Sequence, residues 1–254
     1  MLAAIAALLL AAAPPCGLPP LAGPPPWASG EQLEMDLGLL GAIRVGEVLF
    51  AVERPPERGG PVPVVARVRN TTRFGPVRRL AAVGLSWLDP VTLRPERYRE
   101  ESDEDGRRRT SDARLSPPAA EVVVVSTDRT ARGERRYARR GDVLDPLAAI
   151  YYLRAARLAP GSGFCFDLLA NGKYWRVTGK VAARTAPIEV PWGRFEALRL
   201  EATARRADGT GKDRPLWLWL GTDGARLPLA AATEVDLGPV AVRLTGVRSA
   251  GAPR

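Results

Sequence analysis

Five carboxylates in this chain could be assembled into an acid–base pair: Asp89, Glu96, Asp145, Asp167 and Asp223. Two carboxyl groups flanking one bond can protonate a leaving group and activate a water, as in the hydrolysis of an envelope polysaccharide. It is the main acid–base chemistry open to a sequence without a single histidine. That absence excludes imidazole general bases, Ser-His-Asp and Cys-His arrangements, and His-ligated zinc or haem. The two cysteines, Cys16 and Cys165, are too few for a cysteine-only zinc or iron–sulfur site. No phosphate-binding loop, dinucleotide fingerprint or nucleophile elbow occurs, and Gly161-Ser162-Gly163 is better read as a helix stop. The carboxylates also have plainer readings: Asp145 as a helix cap, Asp223 as a turn residue, Asp89 as the residue before Pro90 in a turn. The chain is therefore expected to be noncatalytic, with no catalytic residue, cofactor or metal.

A second set of side chains could bind instead of react. In Leu216-Trp217-Leu218-Trp219-Leu220 the strand period of two puts three leucines on one side and two indoles on the other. Both faces must be hidden from water. The segment reads either as a central strand with Trp217 and Trp219 under a helix or at a barrel end, or as a ligand wall. If a cavity exists, Trp87, Tyr151, Trp175, Trp217 and Trp219 are the residues most able to line it. Cys165, between Phe164 and Phe166, reads as a buried inert thiol, and a disulfide framework is not expected.

These residues need elements to hold them. The one long helical pattern is 145–158, with Asp145 as N-cap, Pro146 at the first helical position, and Pro160 and Gly161 as the stop. Leu147, Ile150, Tyr151 and Leu158 form one apolar stripe, and Arg154 and Arg157 sit where the helix dipole favours cations. A lone striped helix needs a sheet to lie on. The remaining chain reads as strand and turn. Asp105-Gly106, Asn171-Gly172, Asp208-Gly209 and Asp223-Gly224 separate apolar or alternating runs and predict an antiparallel meander. The four valines of Glu121 to Thr127 predict a central strand covered by the helix. Arg132 to Arg140 carries five arginines around Tyr137 and reads as an edge strand defended by charge, or as a site for an anion.

At the N-terminus, Leu2 to Ala13 has the length of a signal-peptide core and is too short to span a bilayer. Residues 1–30 are read as an export signal plus a Pro/Gly-rich linker, and 31–250 as one β domain. Two processing routes stand open: lipidation of Cys16, or cleavage near Ala28-Ser29-Gly30. The net charge of +9 comes mostly from arginines mixed with acids, so nucleic-acid binding is not expected.

Five segments carry a family resemblance: Gly46-Glu47-Val48, Leu88-Asp89-Pro90-Val91-Thr92-Leu93-Arg94-Pro95, Asp145 to Arg154, Pro191-Trp192-Gly193-Arg194-Phe195-Glu196-Ala197, and Trp219 to Pro228. In this order the chain resembles the bacterial envelope proteins of domain-of-unknown-function family 3108. It departs from them at Ala148, where serine is common. The resemblance implies an exported, mostly antiparallel β protein with a short helix, and implies no activity. The expected architecture is mainly β: one strongly curved antiparallel sheet, an open or half barrel similar to lipoprotein carriers, with a single helix on its concave face. Three roles follow: an exported periplasmic or outer-membrane-associated protein binding a lipid or acyl chain between sheet and helix, an interaction module docking an envelope protein partner, or a carboxylate hydrolase. Any membrane association is expected only through a lipid on Cys16.

Overall fold

A computed structural model of the protein describes residues 17–40, 43–71, 79–116, 121–129, 131–235 and 238–248. The apolar run from Leu2, Cys16 with its lipidation reading, and the Gly41 turn lie outside the described residues. The first half of the chain forms β1 (Gln32–Leu39), β2 (Ile43–Val52), β3 (Val62–Asn70), β4 (Leu80–Leu88), β5 (Pro95–Glu104), β6 (Arg107–Arg114), β7 (Glu121–Asp128) and β8 (Ala131–Ala138). After β9 (Val143–Leu144) comes the helix α1 (Pro146–Ala155). Then follow β10 (Gly163–Ala170), β11 (Lys173–Val181), β12 (Ala186–Val190), β13 (Gly193–Arg206), β14 (Arg214–Gly221), β15 (Pro228–Val235) and β16 (Gly238–Arg248).

All the strands belong to one sheet, in the order β8-β7-β6-β5-β4-β3-β2-β1-β16-β15-β14-β13-β11-β10-β9, with β12 beside the first part of β13. The first and last long strands thus pair in mid-sheet. Asp105 with Gly106, and Asn171 with Gly172, take positive φ at both positions, which makes the tight turns of β5–β6 and β10–β11. Among the described strands the pairing is antiparallel except for two residues of β9 against β10. The edges β8 and β9 are not hydrogen-bonded to each other, so the barrel is left open. The β10–β11 hairpin spans part of that gap: the Tyr137 and Tyr174 rings stack at 5.2 Å, and the Tyr137 hydroxyl donates to the Gly172 carbonyl.

The helix sits inside the curve, against β3, β4, β9 and β10. Asp145 caps it, accepting from the amides of Leu147 and Ala148. It is shorter than its sequence pattern and is not striped: every residue from Leu147 to Ala155 is buried except Ile150. The cause is the Gly17 to Gly30 stretch, expected as a linker, which packs across the helix as a strap. Ala22 N–H donates to Ala155 O, Arg157 N–H to Pro20 O, and Leu21 bridges Ala156. The chain after Ala155 is pulled into an extended pairing, and the last helical carbonyl, Ala155 O, is met by the strap. Trp27 is buried and donates to the Tyr151 carbonyl, and the Tyr152 hydroxyl donates to Pro19 O.

Two more expectations change, and one holds. Cys165 is disulfide-bonded, not an inert thiol. Its amide donates to Gly17 O, and the chain's one other cysteine is Cys16. β7 is next to the edge rather than central; its Val122 and Val124 are fully buried while Val123 and Val125 are half exposed. The Arg132 to Arg140 stretch does contain an edge strand, β8, exposed at all positions but Tyr137.

Candidate functional site

The helix fills only part of the concavity. Between it and β10, β11 and β13 to β16 lies a half-open cleft of about 270 Å³. Pro146, Ala149, Ile150 and Leu153 form the helical wall. Opposite stand Phe164, Phe166, Leu168, Val177, Leu200 and Ala202, then Leu216, Leu218, Ala231, Val240 and Val242. Register explains this composition: Leu200 pairs with Leu218, Leu218 with Ala231, and Ala231 with Val242, so one inward row runs across four strands. Thr233 is the one polar side chain in the lining, and its hydroxyl donates to Pro215 O at 2.9 Å. With that proton committed, the walls offer a guest almost wholly apolar contact.

The cleft is closed at one end. Leu220, Leu229 and Leu244, the next inward residues along β14, β15 and β16, have no exposure. Behind them the helix contributes Arg154, at the helix end where the dipole favours a cation and also fully buried. Glu31 at the end of the strap meets it with both oxygens, at 2.6 and 2.9 Å. The Ala225 and Arg226 carbonyls accept from the same guanidinium, which lies 5.1 Å from the Tyr151 ring centroid. A buried guanidinium needs this full set of partners to offset its desolvation.

Of the five aromatic residues expected to line a cavity, Trp217 borders the cleft, between the two lining leucines. Trp217 and Trp219 alternate with Leu216, Leu218 and Leu220, and register places both on the opposite face, beside Glu201 and Arg199. The wall from β14 is therefore mainly leucine, with Trp217 at its border. Trp87 is on the outer face of β4, with the Arg97 guanidinium 5.1 Å from its ring. Tyr151 is buried in the closed end, edge-on to Trp27 at 5.3 Å. Trp175 is on the inward face, half-buried, one pair beyond Val177.

The five candidate carboxylates are dispersed among structural tasks. Asp89 accepts from the amides of Val91 and Thr92, and Asp223 from that of Arg226. Asp167 is held by the Tyr174 hydroxyl and Arg176, and Glu96 lies on β5. Asp145 is fully buried, with the Ser86 hydroxyl donating to it at 2.6 Å. Burial pushes its carboxyl up to about 6, against the opposing pull of its hydrogen bonds from Ser86 and the helix amides. A carboxylate missing from the sequence reading, Glu100, is more notable. It accepts from the Tyr98 hydroxyl at 3.0 Å and the Asn171 amide at 3.2 Å, and burial raises its pKa. It begins the acidic run Glu100-Glu101-Ser102-Asp103-Glu104-Asp105. The shared inward face of Tyr98 and Glu100 on β5 was the available signal. Among the described residues no group of three or more acidic or cysteine side chains could hold a metal.

The model of a family described as a protein of unknown function, DUF3108, matches residues 32–245. A crystal structure of a β-barrel-like protein of domain of unknown function DUF1849 from Brucella abortus matches with a TM-score of 0.58 at 11% identity, covering 88% of this chain and 99% of that one. At that identity the likeness is one of fold. A candidate lipoprotein from Parabacteroides distasonis ATCC 8503 matches at a TM-score of 0.34 and 7% identity, covering 89% of this chain and 99% of its own. A candidate exported protein with a YmcC-like fold from Bacteroides fragilis NCTC 9343 matches at 0.31 and 9%, covering 92% and 100%. No curated protein matches the sequence.

Proposed function

Because the chain belongs to DUF3108, a family of unknown function, its role has to come from its own geometry, and we propose that it is a noncatalytic exported protein binding one hydrocarbon chain, such as a lipid acyl tail, in the cleft. The observation that carries this reading is an inward apolar surface left half open, with its single hydroxyl already bonded. Burying such a surface under a hydrocarbon gains roughly 25 cal/mol for each Å² removed from water. The volume, about 270 Å³, is just below the roughly 300–1,000 Å³ of small-molecule sites. A slender chain suits it better than a ring system.

Export is supported by the signal-like run at Leu2 and by the disulfide at Cys165, since such bonds persist in oxidising compartments such as the periplasm. A second reading, docking of an envelope partner, rests on β8, an exposed basic strand at the sheet edge. Titration with a fluorescent fatty acid tests the first. Wild type is expected to bind, and Ala231→Phe, which fills the cleft from β15, to bind at least about tenfold more weakly, a change of roughly 1.4 kcal/mol, with an unchanged unfolding midpoint. Equal affinity in the two proteins would remove the cleft from consideration.

A further inference from the structure

Exposure along the inward face is graded. Leu220, Leu229 and Leu244 are sealed; Leu218, Ala231 and Val242, two residues on, are half-buried; so are Leu216, Thr233 and Val240 beyond them. The gradient points to the turns β13–β14, β15–β16 and β1–β2, where the cleft opens. The inward rows continue past the cleft to this rim: Val240 pairs with Leu39, Leu39 with Ile43, and Val235 follows Thr233 on β15.

The rim is apolar and exposed. Six large apolar side chains are strongly exposed among the described residues, and three of them are here: Leu40 at 54%, Ile43 at 50% and Val235 at 39%. The other three, Val83, Val91 and Trp192, are scattered over separate elements. The β1–β2 and β15–β16 ends are joined, since the Leu40 amide donates to Pro239 O. The Leu40 side chain lies so close to Gly238 that a Cβ there would come within 2.5 Å of it. Several nearby charges are paired with one another: Arg44 with Asp36 and Glu47, Arg205 with Asp213, and Arg206 with Asp208.

We propose that this rim seats on a lipid bilayer surface, with Leu40, Ile43 and Val235 entering the acyl layer and the cleft mouth opening onto the lipid tails. The inference rests on the cleft being an acyl-chain site, and it supplies that site's route of loading. Exposed apolar side chains continuous with an apolar mouth mark a surface that meets another apolar phase. On this proposal apolar insertion, not the net charge of +9, is the source of affinity. This contact needs no lipid anchor.

The test is flotation of the full mature chain with phosphatidylcholine vesicles at low salt and at about 1 M salt, where the Debye length is roughly 3 Å. The same proteins are titrated with a soluble fluorescent fatty acid. Wild type should float at both salt concentrations. Ile43→Lys combined with Val235→Lys should lower vesicle binding at least tenfold and leave the affinity for the soluble fatty acid unchanged. Unaltered flotation of the double variant would overturn the proposal, as would wild-type binding confined to phosphatidylglycerol vesicles and abolished by salt. Wild type that floats without binding the soluble fatty acid would instead locate the failure in the cleft reading.

Discussion

The two ends of the interior are made by the same strands with the same alternation, yet one is packed solid and the other is open. Leu220 on β14 is sealed, while Leu218 and Leu216 on the same face are half-buried. What differs is the cover. At the closed end the strap brings Trp27 and Glu31 onto the helix, and Arg154 ties helix, strap and the Ala225–Arg226 segment together. At the open end the helix presents Ile150 and Leu153 across a space that no side chain fills. Alternation therefore decides which face is inward, and long-range contacts decide whether that face is filled.

Breaking the closed end should have the largest effect. Arg154→Ala leaves Glu31 buried without its partner and should cost about 3–5 kcal/mol in urea unfolding. Replacing both residues by apolar ones, Arg154→Met with Glu31→Leu, should recover most of it. Trp27→Ala should follow at about 3 kcal/mol, because it opens a cavity between strap and helix. Little or no loss would mean that the strap is an appendage after all.

The helix start offers a pH handle. Asp145 titrates at about 6 when folded, against about 3.9 unfolded, so between these values the folded state binds more protons. Its contribution to stability is complete below about pH 4 and is lost as pH rises through about 6, by about 3 kcal/mol at most. Asp145→Asn, which keeps a capping oxygen, should flatten this part of the stability–pH curve. Glu100, whose pKa is also raised, retains a slope of the same sign. A variant whose slope matches wild type would show that Asp145 does not titrate there.

The smallest effect, expected at Leu218, is the sharpest on the comparison itself. Leu220→Ala should cost about 2–5 kcal/mol, and Leu218→Ala, two residues away on the same face, under about 1 kcal/mol, because its site is already open to water. Equal losses would mean that the two ends are packed alike.

Much of the fold was legible locally. Asp105-Gly106 and Asn171-Gly172 specify tight turns by their own backbone preferences, and Asp145-Pro146 specifies the helix start. The closing contacts are not local. Glu31 and Arg154 are 123 residues apart, and nothing in the helical period distinguishes a buried arginine from a solvated one at the dipole's negative end. The same holds for Ala155 and Ala156, which end the helix because the strap claims their carbonyl and flank. The period of two divided Leu216 to Leu220 into two faces correctly. Which face turns inward depends on register with β13 and β15, and it is the leucine face.

The most direct measurement is a native mass spectrum of the protein purified without detergent from the cell envelope, run beside Leu218→Glu. Wild type is predicted to carry an added mass matching one acyl-chain lipid, and the glutamate variant, with a charge in the cleft wall, to fly bare at comparable thermal stability. A bare wild type that also fails to take up added fatty acid would contradict the account.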